Sequence, residues 1–186
     1  MPPKVKITKE NIIGAAIDIA RQNGADSINA RSLAAHLDCS TQPIFSNFAN
    51  MDELRFALIC KAYELYKQYL TREIAEQTYP AYKASGMAYI RFAYEEKELF
   101  KLLFMRDRTG DESIESIEFN DGMDALLQKS TGLNEEKAQL FHFEMWAYVH
   151  GIATMLATNF LKIDFNLISQ MLTDAYLGMR KQYELE

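Results

Sequence analysis

Apolar residues recur at helical spacing along nearly the whole chain, and no run alternates apolar and polar residues long enough to predict a strand. The first predicted helix carries a wide apolar stripe made of Ile12, Ile13, Ala16, Ile17, Ile19 and Ala20. Thr8 is placed to cap its start, and Gly24 is placed to end it. The pattern as a whole predicts an all-α fold of about nine helices.

Two short helices joined by a tight turn follow the first helix. Residues 30–37 form the earlier one, Asp38 and Cys39 make the turn, and Ser40 is placed to cap the later one. Asn50 is placed to cap a long fourth helix, with Glu53 three residues further on, as in a capping box.

Longer helices occupy the rest of the chain, and Pro80 ends the fourth. Five more are predicted at residues 81–95, 97–107, 113–130, 134–160 and 164–183. Asn134 and Asp164 are placed to begin the last two. Because short helices give way to long ones near residue 50, we predict an N-terminal three-helix domain over 1–50, with an arm at 1–8, and a larger helical domain over 51–186.

The composition, with 48% hydrophobic and 25% charged residues, is that of an ordinary globular protein and excludes disorder. A net charge of −6 excludes a wholly basic nucleic-acid-binding coat, but the first nine residues carry three lysines and no acid. No apolar stretch approaches a membrane span and no secretory signal is evident, so we expect a cytoplasmic protein. Cys39 and Cys60 are then expected to be reduced packing residues, with a redox-sensing thiol as the alternative.

The two short helices have the helix-turn-helix arrangement, whose second helix enters the major groove and presents its N-terminal residues to the bases. Ser40, Thr41, Gln42 and Pro43 supply the small polar residues that such a helix start needs. Gln42 can pair with adenine, and Arg31 can reach a guanine or a phosphate. The alternative is a solvated helix start, because a lone helix-turn-helix pattern is weakly specific.

Further positions add context to this motif. They are Ala15-Ala16, Gly24, Arg31, Leu33, Ala34, Ser40, Ile44-Phe45, Phe48 and the run from Asn50 to Leu54. In these residues the stretch from Ile12 to Leu54 resembles the N-terminal domain of the tetracycline-repressor (TetR) family. The resemblance implies an all-α homodimer that usually represses transcription and releases its DNA operator when a small molecule enters the C-terminal domain.

The resemblance also implies a DNA-facing set. Its members are Asn29, Arg31, Ser40, Thr41, Gln42, Pro43, Phe45, Ser46 and Asn47, with Lys4 and Lys6 of the arm added on charge. Ile44 and Phe48 are implied to pack the core of the small domain. The chain departs from the family at Asp38, Phe45, Asn47 and Met51, where Gly, Tyr, His and Lys are usual. The last departure removes a phosphate contact.

Residues 134–160 are apolar almost all round, which requires burial on two sides. One side is expected to face the chain's own core or a cavity, and the other a second subunit; the alternative is that one chain covers both. The last helix offers a second stripe made of Phe165, Ile168, Leu172, Ala175 and Met179, with Gly178 permitting close approach. By the resemblance, two such helices from each subunit form a four-helix dimer interface.

Aromatic residues and methionines crowd residues 82–123, and methionine adapts well to irregular ligands. The candidate ligand-binding set is Tyr89, Phe92, Phe100, Phe104, Met105, Phe119, Met123, His142, Trp146 and His150. Together they predict an apolar or aromatic effector. The spacing of Trp146, His150 and Gly151 also resembles a signature of one TetR subgroup.

No catalytic constellation, phosphate loop or paired-cysteine metal site is found, so we expect neither an enzyme nor a cofactor or metal requirement. His142 and His150 are more simply read as packed residues than as metal ligands. Arg91, Arg106 and Arg108 could anchor an acidic effector but are expected at the surface. We therefore predict a ligand-responsive transcriptional repressor. The alternative is a helical small-molecule-binding protein with weak or lost DNA binding.

Overall fold

The computed structural model describes residues 7–107, 127–128 and 131–184, and these ranges are helical without strands. The helices are α1 (Lys9–Asn23), α2 (Ala30–His36), α3 (Gln42–Asn47), α4 (Met51–Ala75), α5 (Ala81–Glu95), α6 (Lys97–Phe104), α7 (Glu135–Ala157) and α8 (Phe165–Glu184), with a 3-10 turn at Ala25–Ser27. The all-α prediction is confirmed. The predicted helix at 113–130 falls almost entirely outside the described residues.

The predicted ends of α1 are confirmed. The Thr8 hydroxyl accepts the Asn11 N–H at 3.3 Å, and the Asn11 side chain accepts the Thr8 N–H at 3.1 Å. Gly24 ends the helix with φ of 80°, a backbone conformation that a side chain would strain. Asp38 also has a positive φ, 49°, in the turn between α2 and α3. Aspartate tolerates this conformation, which explains how it stands where glycine is usual.

The predicted cap of α3 is wrong. The N-cap position is Thr41 rather than Ser40, and no side chain caps it. Pro43 occupies the first turn and has no N–H, so it removes one of the donors that a capping side chain would accept. The helix begins instead on the Thr41 carbonyl, which accepts the N–H groups of Ile44 and Phe45.

Asn50 caps α4 as predicted, but the capping box is incomplete. The Asn50 side chain accepts the Glu53 N–H at 2.9 Å. The Glu53 carboxylate, however, accepts the N–H of Ala49 at 2.6 Å, one residue earlier than a capping box requires. Near the other end of the chain, Asn134 and Asp164 accept the N–H groups of Lys137 and Asn166, which confirms the predicted starts of α7 and α8.

α7 ends three residues before the predicted limit. Asn159 has φ of 57°, and the N–H groups of Phe160 and Leu161 both donate to the Met155 carbonyl. This left-handed exit satisfies carbonyls of the last helical turn, so the helix stops at Ala157.

Residue contacts divide the chain into two compact units. The first comprises the chain through Lys67 together with Glu96–Arg106, and therefore includes α1, α2, α3, part of α4, and α6. Its buried core includes Ile12, Ile17, Leu33, Ile44, Phe48, Leu99 and Phe100. Ile44 and Phe48 are thus core residues, as the resemblance implied. α6 packs on α1 and on the 3-10 turn, and the Arg21 guanidinium donates to both oxygens of Glu96 at 2.8 and 2.6 Å.

The second unit comprises Gln68–Glu95 and the chain from Asp107 onward. α5 and α7 pack along each other, and α8 contacts both. A Cβ added to Gly86 would touch Leu172 and Val149 at 3.4 Å, so this glycine lies where the three helices approach closely. The boundary predicted near residue 50 separates a DNA-binding segment from the rest of the chain by function and not by contacts. It stays a prediction. No helix in the described ranges is long and apolar enough to cross a membrane.

Candidate nucleic-acid interface and effector region

The start of α2 is held by a complete local capping network. The Asn29 side chain accepts the N–H groups of Arg31 and Ser32, both at 3.0 Å, and the Ser32 hydroxyl accepts the Asn29 N–H at 3.0 Å. The side-chain oxygen of Asn29, a residue predicted to face DNA, is therefore already used as an acceptor at the start of α2. Arg31 is exposed on the first turn of this fixed helix.

α3 has one buried and one exposed face. Ile44 and Phe48 are only 0% and 2% exposed and point into the core. Gln42, Phe45 and Ser46 lie at helical spacing on the other side, and all three are exposed. Ser40 is also exposed, and Thr41 and Pro43 are half-buried. The structure thus brings most of the predicted DNA-facing residues to one surface at the start of α3.

Asn47 is turned toward the protein. Its side-chain amide donates to the Pro43 carbonyl at 2.7 Å and to the Ile7 carbonyl at 3.3 Å. Lys9, two residues after Ile7, forms an ion pair with Glu53 at 3.0 Å. The sequence predicted a DNA contact for Asn47 and gave no sign of the Asn47–Ile7 and Lys9–Glu53 contacts, because each pair is separated by about forty residues. Lys4 and Lys6 lie outside the described residues.

The candidate effector residues divide between the two units. Tyr89, Phe92, His142, Trp146 and His150 belong to the second unit. Phe100, Phe104 and Met105 belong to the first, on or next to α6. Phe119 and Met123 lie outside the described residues. The ten candidates are therefore not members of one compact unit.

The α6 aromatics pack their own unit. Phe100 is fully buried, and its ring centroid lies 5.2 Å from that of Phe104. Phe104 in turn meets the ring of Tyr66 edge-on at 5.5 Å. Phe100 is thus a core residue, whereas Phe104 is half-buried and Met105 is 40% exposed, and an effector contact for these three residues stays a prediction.

Two tyrosine–histidine pairs join α5 to α7. The Tyr82 hydroxyl lies 3.0 Å from His142 Nδ1, and the Tyr89 hydroxyl lies 2.9 Å from His150 Nδ1. Burial raises the pKa of both phenols, so each hydroxyl keeps its proton and can donate to the ring nitrogen or accept from it. The tautomer of each imidazole sets which partner donates. Each histidine on α7 thereby has a hydrogen-bonded tyrosine partner on α5.

An aromatic stack extends from His150 along α7. The rings of Trp146 and His150 are 4.9 Å apart and nearly parallel, at 15°. Phe143 stacks on Trp146 at 6.1 Å and 23°. Phe143 is 64% exposed and Trp146 is 40% exposed, so the stack runs from a half-buried histidine to the surface.

The hydrogen-bonded His150 makes stability depend on pH. Burial lowers the pKa of its imidazole, because the charged ring is poorly solvated there. As the pH falls through about 6.5, the unfolded chain gains a proton that the folded chain does not, so stability is lost on the acid side. We expect the melting temperature to fall less between about pH 7.5 and 5.5 in His150→Gln than in the wild type. Equal falls in thermal unfolding experiments would contradict this assignment.

Arg91 forms an ion pair within the protein. Sequence analysis offered it as an anchor for an acidic effector or as a surface residue, but its guanidinium donates to the buried carboxylate of Glu73. It also lies 4.8 Å from the ring centre of Phe165 on α8. Glu73 is 2% exposed, and nothing in its neighbours along the chain indicated this burial.

Neither metal nor thiol chemistry gains support from the residues described. Within them, no group of three or more His, Cys, Asp or Glu side chains could hold a metal ion. Burial and the nearby Glu64 raise the pKa of the Cys60 thiol, which lowers its thiolate fraction and its reactivity. The packing interpretation of Cys60 is therefore favoured over redox sensing.

An open groove of about 750 Å³ lies between α7 and the end of α8. Its lining consists of Asn134, Glu136, Lys137, Leu140, Glu144, Gly178, Met179, Gln182 and Tyr183. The volume is that of a small-molecule site, but the lining mixes charged and apolar residues and contains none of the predicted effector residues.

The apolar stripe predicted on α8 is packed within its own chain. Ile168 and Leu172 are 0% and 2% exposed, and Ala175 and Met179 pack against a core cluster that includes Phe141. Ile168 and Leu172 are therefore covered by the chain itself, whereas Ala175 and Met179 are half-buried and Gly178 is exposed, so a role of this part of α8 in a dimer stays a prediction. The exposed apolar side chains of this region are Leu140, Phe143, Trp146, Phe160, Leu161, Leu167 and Leu177.

Comparison with known proteins identifies the C-terminal half. The profile of a family described as tetracyclin repressor-like, C-terminal domain, matches residues 82–175, about half of the chain. The fold is similar to the crystal structure of a TetR-like transcriptional regulator from Rhodococcus sp. RHA1. The TM-score is 0.68 at 14% identity, over 95% of this chain and 96% of that chain. No curated protein matches the sequence.

Proposed function

Because the chain belongs to the tetracycline-repressor-like family of transcriptional regulators, we propose that it represses transcription by binding a DNA operator and leaves it when a small-molecule effector binds. The observation that carries this proposal is the exposed face of α3. Gln42, Phe45 and Ser46 are exposed there while Ile44, on the same short helix, is fully buried. A six-residue helix with its inner face in the core can present its outer face to a groove.

In this proposal α3 enters the major groove. Gln42 reads an adenine through its side-chain amide, and Arg31 reads a guanine or holds a phosphate from the start of α2. The other proposed contacts are Asn29, Ser40, Thr41, Pro43, Phe45 and Ser46, with Lys4 and Lys6 on backbone phosphates. Because α3 carries no charged side chain, electrostatic attraction to the backbone must come from outside this helix.

The operator-binding form is a homodimer. The exposed apolar residues of α7 support this assignment, since Leu140, Phe143 and Trp146 follow each other at helical spacing and are each at least 40% exposed. A two-fold dimer presents two copies of α3 to a near-palindrome with half-sites about one helical turn or more apart.

The effector is an apolar or aromatic molecule that binds in the C-terminal unit. Tyr89, Phe92, His142, Trp146 and His150 are the described residues that we assign to its surroundings, together with Phe119 and Met123. The effector acts only to the extent that it binds the DNA-free form more tightly than the DNA-bound form. A cytoplasmic location follows from this role.

The test is selection of random duplex DNA by the purified protein, followed by sequencing of the retained pool. We expect an enriched near-palindrome. Gln42→Ala and Arg31→Ala should each weaken binding to it about tenfold, the cost of one good base contact. Gln22→Ala is the matched control, because Gln22 is exposed on α1, and it should leave the affinity unchanged.

A second candidate function is small-molecule binding with little DNA binding. It is favoured by the lack of charge on α3 and by the inward position of Asn47, whose amide is used by backbone carbonyls. Failure to enrich any sequence at several salt concentrations would reject the repressor and favour this candidate.

A further inference from the structure

The start of α1 is tied to the end of α3. The Asn47 side chain reaches the Ile7 carbonyl, forty residues away along the chain, while also bonding the Pro43 carbonyl within its own helix. Two carbonyl oxygens can be satisfied only by the amide NH₂ group, so the orientation of this amide is determined by its partners. Asn47 therefore bridges the helix assigned to base reading and the residue at which the N-terminal arm begins.

Lys9 supplies a second attachment at the same place. Its ammonium group pairs with Glu53 and lies 4.9 Å from the centre of the Phe48 ring. The same Glu53 carboxylate accepts the Ala49 N–H. These two contacts hold the pKa of Glu53 below its usual value, so the carboxylate stays charged toward Lys9. Lys9 is thereby paired within the chain, at the surface of the first unit, although by charge alone it belongs with the basic residues of the arm.

We propose that Asn47 is a positioning residue for DNA binding, which sets where the basic arm begins relative to α3 and does not itself read DNA. The inference rests on the function proposed above. Ile7 is the first described residue, and the segment that carries Lys4 and Lys6 precedes it. The Asn47 bond therefore fixes, beside α3, the point at which this segment joins the folded unit.

The advantage of such an anchor is a higher effective concentration of the arm at the backbone. A segment attached at a fixed point near its target loses less conformational freedom on binding than one attached loosely. Loss of the Asn47 bridge should thus weaken DNA binding through the arm lysines, although Asn47 makes no contact with DNA.

A double-mutant cycle on the selected operator tests this role. The proteins are the wild type, Asn47→Ala, the arm variant Lys4→Ala/Lys6→Ala, and the combination of all three changes. We expect Asn47→Ala to weaken binding about fivefold when the arm lysines are present and less than about twofold when they are absent. Asn47→Ala should also flatten the dependence of log affinity on log salt toward that of the arm variant, which loses up to about two phosphate contacts.

Asn50→Ala is the matched control. It removes a helix cap three residues away, so it weakens the same unit without touching Ile7. The salt dependence of Asn50→Ala should equal that of the wild type. If Asn47→Ala does not fold, as judged by circular dichroism, Asn47→Ser supplies the same deletion of the amide.

The outcomes separate the inference from the proposed function. Asn47→Ala could lower operator affinity by the same factor with and without the arm lysines and leave the salt dependence unchanged. This result would show a direct or purely structural role for Asn47 and overturn the inference alone. Failure of the wild type to select any operator would overturn the proposed function together with the inference.

Discussion

Replacing Arg91 with methionine is expected to lower the free energy of unfolding by about 3 kcal/mol, because it leaves the Glu73 carboxylate buried without its partner. Among the described residues, Glu73 is the only charged side chain that is buried. It lies on α4, and Arg91 reaches it from α5. The Arg91 side chain is itself 30% exposed, which places the cost at the lower end of the range for broken buried pairs.

Two further proteins make this prediction specific. Adding Glu73→Gln to Arg91→Met should recover much of the loss, because a neutral amide costs less to bury than a carboxylate. Arg55→Met is the matched control: the Arg55–Asp52 pair is exposed, at 3.5 Å, and should contribute less than about 1 kcal/mol. Urea unfolding at one fixed protein concentration measures all four proteins, since subunit association would otherwise shift the apparent stability. Equal losses for Arg91→Met and Arg55→Met would show that burial of Glu73 is unimportant.

Phe143→Glu is expected to convert the proposed dimer to a monomer and to lower operator affinity about a hundredfold or more. Phe143 is 64% exposed in the single chain, so the substitution should not unfold it. In a two-fold interface through this face, each copy would bury a carboxylate among the apolar residues of its partner, and the cost is incurred twice. Loss of the dimer then removes the second half-site contact, which accounts for the fall in affinity.

Light scattering during size-exclusion chromatography gives the mass, and titration of the selected operator gives the affinity. Phe56→Glu is the matched control, because Phe56 is an exposed phenylalanine on α4 and should leave the dimer intact. A Phe143→Glu protein that stays dimeric would place the subunit interface on another surface.

Helix ends were predictable where the partners lie within one helical turn. Thr8 and Asn11 are three residues apart, and so are Asn50 and Glu53, so the hydrogen bonds that begin α1 and α4 depend on neighbours in the sequence. The exception was α3, where Pro43 removes a donor that a cap on Ser40 would need. The sequence itself contains this signal, since Pro43 lies three residues after Ser40.

The surroundings of the apolar stripes were not predictable in the same way. Periodicity showed that Ile168 and Leu172 share a face of the last helix, but it could not tell a partner subunit from α5 and α7 of the same chain. The aromatic crowding likewise grouped Phe100 with Tyr89. In the structure the ring of Phe100 packs against that of Phe104 on α6, whereas the Tyr89 hydroxyl is hydrogen-bonded to His150. Hydrophobic burial is non-directional, so an apolar pattern shows which residues are buried but not what covers them.

The all-α class, most helix limits and the motif at α2 and α3 could therefore be predicted from the sequence, because they depend on hydrogen bonds and periodicity within a few residues. Three contacts could be seen only in the folded chain: the Asn47 amide bonds the Ile7 carbonyl, the buried Glu73 pairs with Arg91, and two tyrosines are hydrogen-bonded to His142 and His150. Each of these polar contacts joins segments that are far apart in the sequence. A polar side chain acquires such a partner only when packing removes it from water and brings the two segments together.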